Sequence, residues 1–300
     1  RKANLVNNFI NENSNIRSVL TDHWKSLELL NKEHLNKYKT ICLLHSKEIN
    51  HEKGSSLNKR LIKSTDKANF IIANSNFTKE LAIKVGINSS KIKVIFPGIP
   101  KPKVIEDKFK TEAKSILKDA FPKIITVARL EKRKSHDKIL MAIKNLKAKF
   151  PNIKYICIGF GKEENNLKKL SKELSIEKEV IFLKNIDENL KLALIASSNL
   201  FLMPSRIDKK SVEGFGISFI EAASYGVGSI GGKDGGESDA IAHNKTGLIC
   251  DGNDLNSIYE SVINFFTNDK FNEFGKAAQR FSENFHWDIV VKNYLKLINE

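Results

Sequence analysis

The sequence has little cysteine. Cys42, Cys157 and Cys250 lie far apart in apolar runs, so no pair has metal-ligand spacing and an odd number cannot complete a disulfide framework. That favours a reducing, cytoplasmic setting over secretion. No apolar run approaches the roughly 18 residues of a membrane-spanning helix, and no signal peptide is expected. The seven histidines offer neither a Ser/His/Asp grouping nor a His/Glu metal arrangement. The basic runs lack the interleaved aromatics of a nucleic-acid module, so nucleic acid is not an expected partner. Proline is also scarce, and three of the six prolines fall in Phe96-Pro97-Gly98-Ile99-Pro100-Lys101-Pro102. Proline removes a backbone donor and opposes helix at the residue before it. A domain boundary is expected there.

What is present is an ordinary globular composition. The 300 residues are 41% hydrophobic and 28% charged, enough for about two domains. The net charge is +15, which suits an anionic partner: phosphorylated small molecules, nucleic acid or a membrane surface. Residues 1–98 hold 17 Lys+Arg against 8 Asp+Glu, so the excess is concentrated there.

Short apolar runs alternate with helix-length amphipathic stretches. The runs are Thr40–His45, Asn69–Ala73, Ile92–Phe96, Lys123–Val127, Lys154–Ile158, Val180–Leu183, Asn199–Met203 and Gly228–Ile230. Several are continuously apolar, as strands are when helices cover both faces of a parallel sheet. The alternation predicts an α/β doubly wound fold. Residues 1–98 offer only three such strands, and the chain starts at Arg1 inside a stretch that reads as helical. The expectation is an incomplete first domain over 1–98, a complete second domain over 99–286, and an amphipathic helix from Trp287 onward.

Four segments past strand ends could carry chemistry. Ser211-Val-Glu-Gly-Phe-Gly-Ile-Ser-Phe-Ile-Glu-Ala-Ala223 places Gly214 and Gly216 where a loop becomes a helix. Glycine there admits a close ligand, and the first-turn amides with the helix dipole favour an anion. Glu213 and Glu221 bracket the turn, and ionised carboxylates are strong acceptors for sugar hydroxyls. A glycine turn with two solvated glutamates would share this spacing. Val127-Ala-Arg-Leu-Glu-Lys-Arg-Lys-Ser135 puts Arg129 just past a strand and Lys134 just before a helix. Together they could hold a diphosphate, or they could form a solvated basic loop. Gly159-Phe-Gly161 lacks the third glycine of a dinucleotide fingerprint and reads as structural. Gly231-Gly-Lys-Asp-Gly-Gly-Glu-Ser238 could wall a ligand site or be a plain loop. His45, at a strand end, could meet a sugar hydroxyl or be structural.

Taken in order, Arg129…Lys134, Gly159-Phe-Gly161, Glu213-Gly-Phe-Gly…Glu221, Gly235-Gly236-Glu237 and Thr246-Gly247-Leu248 resemble the family-4 retaining glycosyltransferases of the GT-B fold. His45, Ala73-Asn-Ser-Asn-Phe-Thr78 and Val94-Ile-Phe-Pro-Gly-Ile99 extend the resemblance over roughly residues 40–300. Arg206 and Val212 give it the flavour of the bacterial phosphatidylinositol mannosyltransferase-like branch. The resemblance implies two facing Rossmann-like domains, the second binding a nucleotide sugar and the first an acceptor, with the last helix returning to the first. It implies Arg129 and Lys134 on the leaving diphosphate. Glu213 with the Gly214, Phe215 and Gly216 amides would face the sugar, and Glu221 the ribose. The Lys184-Asn-Ile186 loop would meet the base, and His45 would lie near the transferred sugar. No cofactor or metal is implied beyond a GDP- or UDP-linked hexose donor. The acceptor would be lipid-linked or a polysaccharide, and the basic first domain suits peripheral attachment to a cytoplasmic membrane face. The rival readings are a non-catalytic nucleotide-sugar-binding fragment and a GT-B epimerase or phosphorylase.

Two departures stand out. The glycine-rich loop that the family carries near its N-terminus has no counterpart in residues 1–40, and on that ground the chain as it stands is expected to be poorly folded on its first side and inactive. Gly228 replaces a proline common in the family, which should soften the turn after Tyr225-Gly-Val227.

Overall fold

The computed structural model describes residues 2–299. The chain divides into two compact units, one of residues 1–98 with 287–300, the other of residues 99–286.

The first unit holds a parallel sheet in the order β1 (Ser18–Thr21), β2 (Lys39–Leu44), β3 (Phe70–Ala73) and β4 (Ile92–Val94). It therefore has four strands, not three. The missed strand, Ser-Val-Leu-Thr, is short and mostly not buried. Side chains alternate across a strand, and β2 and β3 use both faces. Cys42, Leu44, Ile71 and Ala73 join a core with Trp24, Leu27 and Leu61. Ile41 and Ile72 turn the other way and pack with Ile95, Val290 and Leu297. The last two come from the helix Trp287–Asn299, so the chain's last segment covers one face of its first sheet. Serine side chains start two of the helices. Ser55 accepts from the Asn58 amide at 3.2 Å and Ser75 from the Thr78 amide at 2.9 Å, satisfying first-turn donors that have no intrahelical acceptor.

The second unit holds six parallel strands: β5 (Lys123–Val127), β6 (Lys154–Ile158), β7 (Val180–Leu183), β8 (Leu200–Met203), β9 (Ser229–Gly232) and β10 (Gly247–Cys250). Their order is β10-β9-β8-β5-β6-β7. The chain runs outward from β5 to β7, then returns to the other side of β5 with β8. Between β8 and β5 the winding reverses, and in such sheets the crevice beyond the strand ends at the reversal is the ligand site. Thr246-Gly247-Leu248 thus opens an edge strand. Gly228 lies just before β9 rather than in it. A Cβ on Gly228 would stand 2.9 Å from Phe274 Cβ and 3.0 Å from the Phe265 ring, so two aromatic side chains fill the space. Gly159-Phe-Gly161 is structural in the same sense: a Cβ on Gly159 would lie 1.9 Å from the Ala128 carbonyl oxygen. Among the described residues no helix is long and apolar enough to cross a membrane.

Candidate functional site

In the second unit Arg129, Lys134, Glu213 and the Gly214–Gly216 turn follow the carboxyl ends of β5 and β8, the two strands that flank the reversal. After β5 the chain forms a tight turn, Lys132–Lys134, and enters the helix His136–Leu146. The turn carries Arg133 and Lys134 inward. After β8 the loop from Pro204 delivers Glu213 and then starts the helix Ile217–Ser224 at Gly216. Gly216 has φ +88, and a Cβ there would stand 2.5 Å from the Phe219 ring, so glycine is required on both counts.

Glu213 is the meeting point. Its Oε2 accepts from Arg133 at 2.6 Å and pairs with the Lys134 ammonium. Lys134 Nζ also lies 3.3 Å from Met203 Sδ, at the end of β8. The Lys134 side chain is 8% exposed and that of Glu213 13%. Burial alone would raise the Glu213 carboxyl, but the two cations outweigh it and hold it below the ordinary range. Burial draws the lysine below its usual range, against the pull of Glu213. Glu131 bridges the outer part of the cluster, accepting from Arg133 Nε at 3.1 Å and pairing with Arg129 Nη1 at 2.8 Å. Behind it, Arg206 Nη2 donates to Asp137 at 2.9 Å and its amide donates to the Arg133 carbonyl at 2.8 Å.

The structure brings Lys134 and Glu213 together and adds Arg133 and Glu131. Arg129 does not converge with Lys134 on one point: it is 60% exposed and paired with Glu131. Gly214 and Phe215 are buried, and the Gly236 amide donates to the Glu213 carbonyl at 2.9 Å, so the two glycine loops touch. Glu221 stands apart from the cluster. It lines a hollow with Glu188, Leu192, Tyr225 and Pro100–Lys103, and has no ion-pair partner among the described residues. Ile186 is half-buried in the loop after β7, where Lys184 pairs with Glu164 at 3.1 Å. His45 belongs to the first unit. Its Nε2 lies 3.1 Å from Asp22 Oδ1, and its amide donates to Glu48 at 2.6 Å. Among the described residues no cluster of three metal-ligating side chains occurs.

A carboxylate held by two buried cations at a sheet reversal, with the first turn of a helix beside it, can receive an anion and a polyol together. A family model described as glycosyl transferases group 1 matches residues 107–285, and the chain belongs to that family. It is 25% identical over 246 residues to a GDP-mannose-dependent phosphatidylinositol monomannoside mannosyltransferase of Mycobacterium tuberculosis, covering 78% of this chain and 62% of that protein. A GDP-mannose-dependent mannosyltransferase of Corynebacterium glutamicum, acting on a monoacylated phosphatidylinositol monomannoside, is 31% identical over 54% of this chain and 42% of its own. The chain thus spans less than two thirds of either relative. The crystal structure of Anabaena HepE in complex with UDP superposes with a TM-score of 0.83 at 17% identity, over 94% of this chain and 78% of that one. The fold is that of the GT-B glycosyltransferases.

Proposed function

We propose that this chain transfers a hexose, with mannose the first candidate, from a GDP- or UDP-linked donor to a lipid-linked or polysaccharide acceptor with retention. The observation that carries the reading is the buried Arg133–Glu213–Lys134 cluster at the reversal of the second sheet. In the absence of donor both cations are held by Glu213. A diphosphate brings more negative charge than one carboxylate and draws Lys134 and Arg133 toward itself, with Arg129 reaching in from solvent. Glu213 is then released to accept from a sugar hydroxyl. As the glycosidic bond breaks, charge grows on the diphosphate, and cations already in place stabilise it most in the transition state. In this reading the basic side chains and the amides of Gly214, Phe215 and Gly216 supply the positive charge, and no metal is required. Glu221 takes the ribose, the Lys184–Ile186 loop takes the base and His45 lies near the transferred sugar. The GDP-mannose relatives argue for mannose, and a lipid-linked acceptor suits the basic first unit at a cytoplasmic membrane face.

A thermal-shift panel of GDP, UDP and ADP sugars tests the donor. At about 100 times Kd the right nucleotide adds roughly 2.7 kcal/mol of stability. Absence of a shift with all three, together with no release of sugar from labelled donors, overturns the reading.

A further inference from the structure

Glu237 is the least explained charged residue of the second unit. It begins the short helix Glu237–Ala240, its relative exposure is 0%, and neither carboxyl oxygen has a hydrogen-bond partner among the described residues. An unpaired buried carboxylate is costly, and such groups persist in folded proteins where a role offsets the cost. Its place is informative. A Cβ on Gly235 would lie 2.5 Å from Glu237 Oε2, 2.5 Å from the Glu213 carbonyl oxygen and 3.3 Å from Glu213 Cβ. Gly235 is thus wedged between the Glu237 carboxyl and the backbone of Glu213. The groups that face it are Glu213 from the loop after β8, Lys134 from the loop after β5, the Ser205 hydroxyl and, from β10, the Cys250 thiol. Burial first and the Glu213 charge second push the acid up to about 8, against the pull of its own amide, Lys134 and the Ser205 hydroxyl.

We propose that Glu237 is a positioning residue for the donor site: uncharged, it backs the Lys134–Glu213 pair and leaves the lysine free to move to a diphosphate; ionised, it competes for that lysine. The role rests on the donor-site reading above. With the acid protonated, the buried core of the cluster holds Arg133, Lys134 and one carboxylate, a net positive charge suited to an anion. Loss of the Glu237 proton adds a second carboxylate beside Glu213. That cancels the net charge, strengthens the hold on Lys134 and repels the incoming phosphates. Donor binding is thereby tied to retention of one proton by a group that touches neither phosphate nor sugar.

The experiment compares wild type with Glu237→Gln, which keeps the shape and cannot ionise. GDP and UDP are titrated into each protein by calorimetry at about pH 7 and about pH 9, and the ratio of the two Kd values is read within each protein. Wild type should lose affinity roughly fivefold to tenfold across that interval, and Glu237→Gln no more than about twofold. A packing role alone would shift Tm and leave the two ratios equal, which overturns the inference while the donor-site reading stands. Failure of wild type to bind either nucleotide at any pH overturns both. Should Glu237→Gln bind neither, Glu237→Met, apolar and of similar length, must restore binding with a flat pH response; if it does not, the inference falls.

Discussion

Lys134, Arg133 and Glu213 form a buried cluster in which Glu213 is the shared partner of both cations. Removing one partner strands the other in a place water cannot reach, at about 3–5 kcal/mol for a fully buried pair. Arg133 stays on Glu213 at 2.6 Å, so Lys134→Met should cost less, about 2–3 kcal/mol by urea denaturation. Adding Glu213→Gln should cost at least about 1 kcal/mol more, since it takes from the buried Arg133 the carboxylate it pairs with and leaves it only Glu131. Transfer activity should fail in both variants, in kcat/KM more than in nucleotide affinity. If the double variant is more stable than the single one, Arg133 does not depend on Glu213 and the three residues are not the coupled unit described. Glu237 adds a pH dependence of definite sign. Its acid is raised from 4.5 to about 8 by burial and by Glu213, so between those values the folded state binds more protons than the unfolded. Its contribution to stability is full below about pH 4.5 and is lost as pH rises through about 8, at up to about 1.4 kcal/mol per unit. Denaturation of Glu237→Gln across this range should show a visibly flatter profile than wild type. Arg133 was given no role from the sequence, and Glu237 entered only as part of the Gly235-Gly236-Glu237 motif, for a shared reason. Arg129 and Lys134 stand at a strand end and before a helix, which marks them. Arg133 becomes a ligand of Glu213 only through the tight turn Lys132–Lys134, and a Gly-Gly-Glu run says nothing about burial.

At the scale of elements, what was legible followed the apolar run. β5, β6 and β7 have the residue limits expected from their runs, because each is, after the lysine that opens β5 and β6, an unbroken stretch of apolar or β-branched residues, and this holds even for β7 at a sheet edge. The two missed strands, β1 and β10, are both sheet edges. Each has four residues; β1 is mostly not buried, and β10 opens with glycine. The pairing of Lys134 with Glu213 was invisible for a related reason. The two residues are 79 positions apart, and their loops become neighbours only because β8 returns beside β5. Two substitutions probe the elements. Gly216→Ala places a Cβ at φ +88 and 2.5 Å from the Phe219 ring. It should cost about 2–3 kcal/mol and displace the start of the helix Ile217–Ser224. Weakened nucleotide binding with an unchanged midpoint would show the strain to be absorbed locally. Leu297→Ala removes a side chain that packs on Ile41, Ile72 and Ile95. It should cost about 2–4 kcal/mol in the unfolding of the first unit. A loss under about 0.5 kcal/mol would mean the sheet face closes without the helix.

At the scale of the whole molecule, the uneven charge is what remains to be used. The first 98 residues hold 17 Lys+Arg against 8 Asp+Glu, and the structure separates the cations that are occupied from those that are not. Arg60 donates to Glu28 at 2.8 Å and lies 5.8 Å from the Trp24 ring centroid. Lys39 donates to the Ile298 carbonyl at 3.2 Å. Lys59, Lys63 and Lys67 are exposed and spaced by four along and just past the helix Ser56–Thr65, so they share one side of it. None of the three has an ion-pair partner among the described residues. A stripe of free ammonium groups gains roughly 1 kcal/mol per residue against an anionic lipid surface, decaying within a Debye length. Binding to vesicles should therefore rise with anionic lipid content and fall from low to physiological salt. Replacing all three lysines by glutamine should weaken co-sedimentation by roughly a hundredfold at low salt, and leave GDP or UDP binding untouched because the stripe lies in the other unit. Equal sedimentation of wild type with neutral and anionic vesicles would assign the charge to solubility, and a soluble polysaccharide would replace the lipid-linked acceptor.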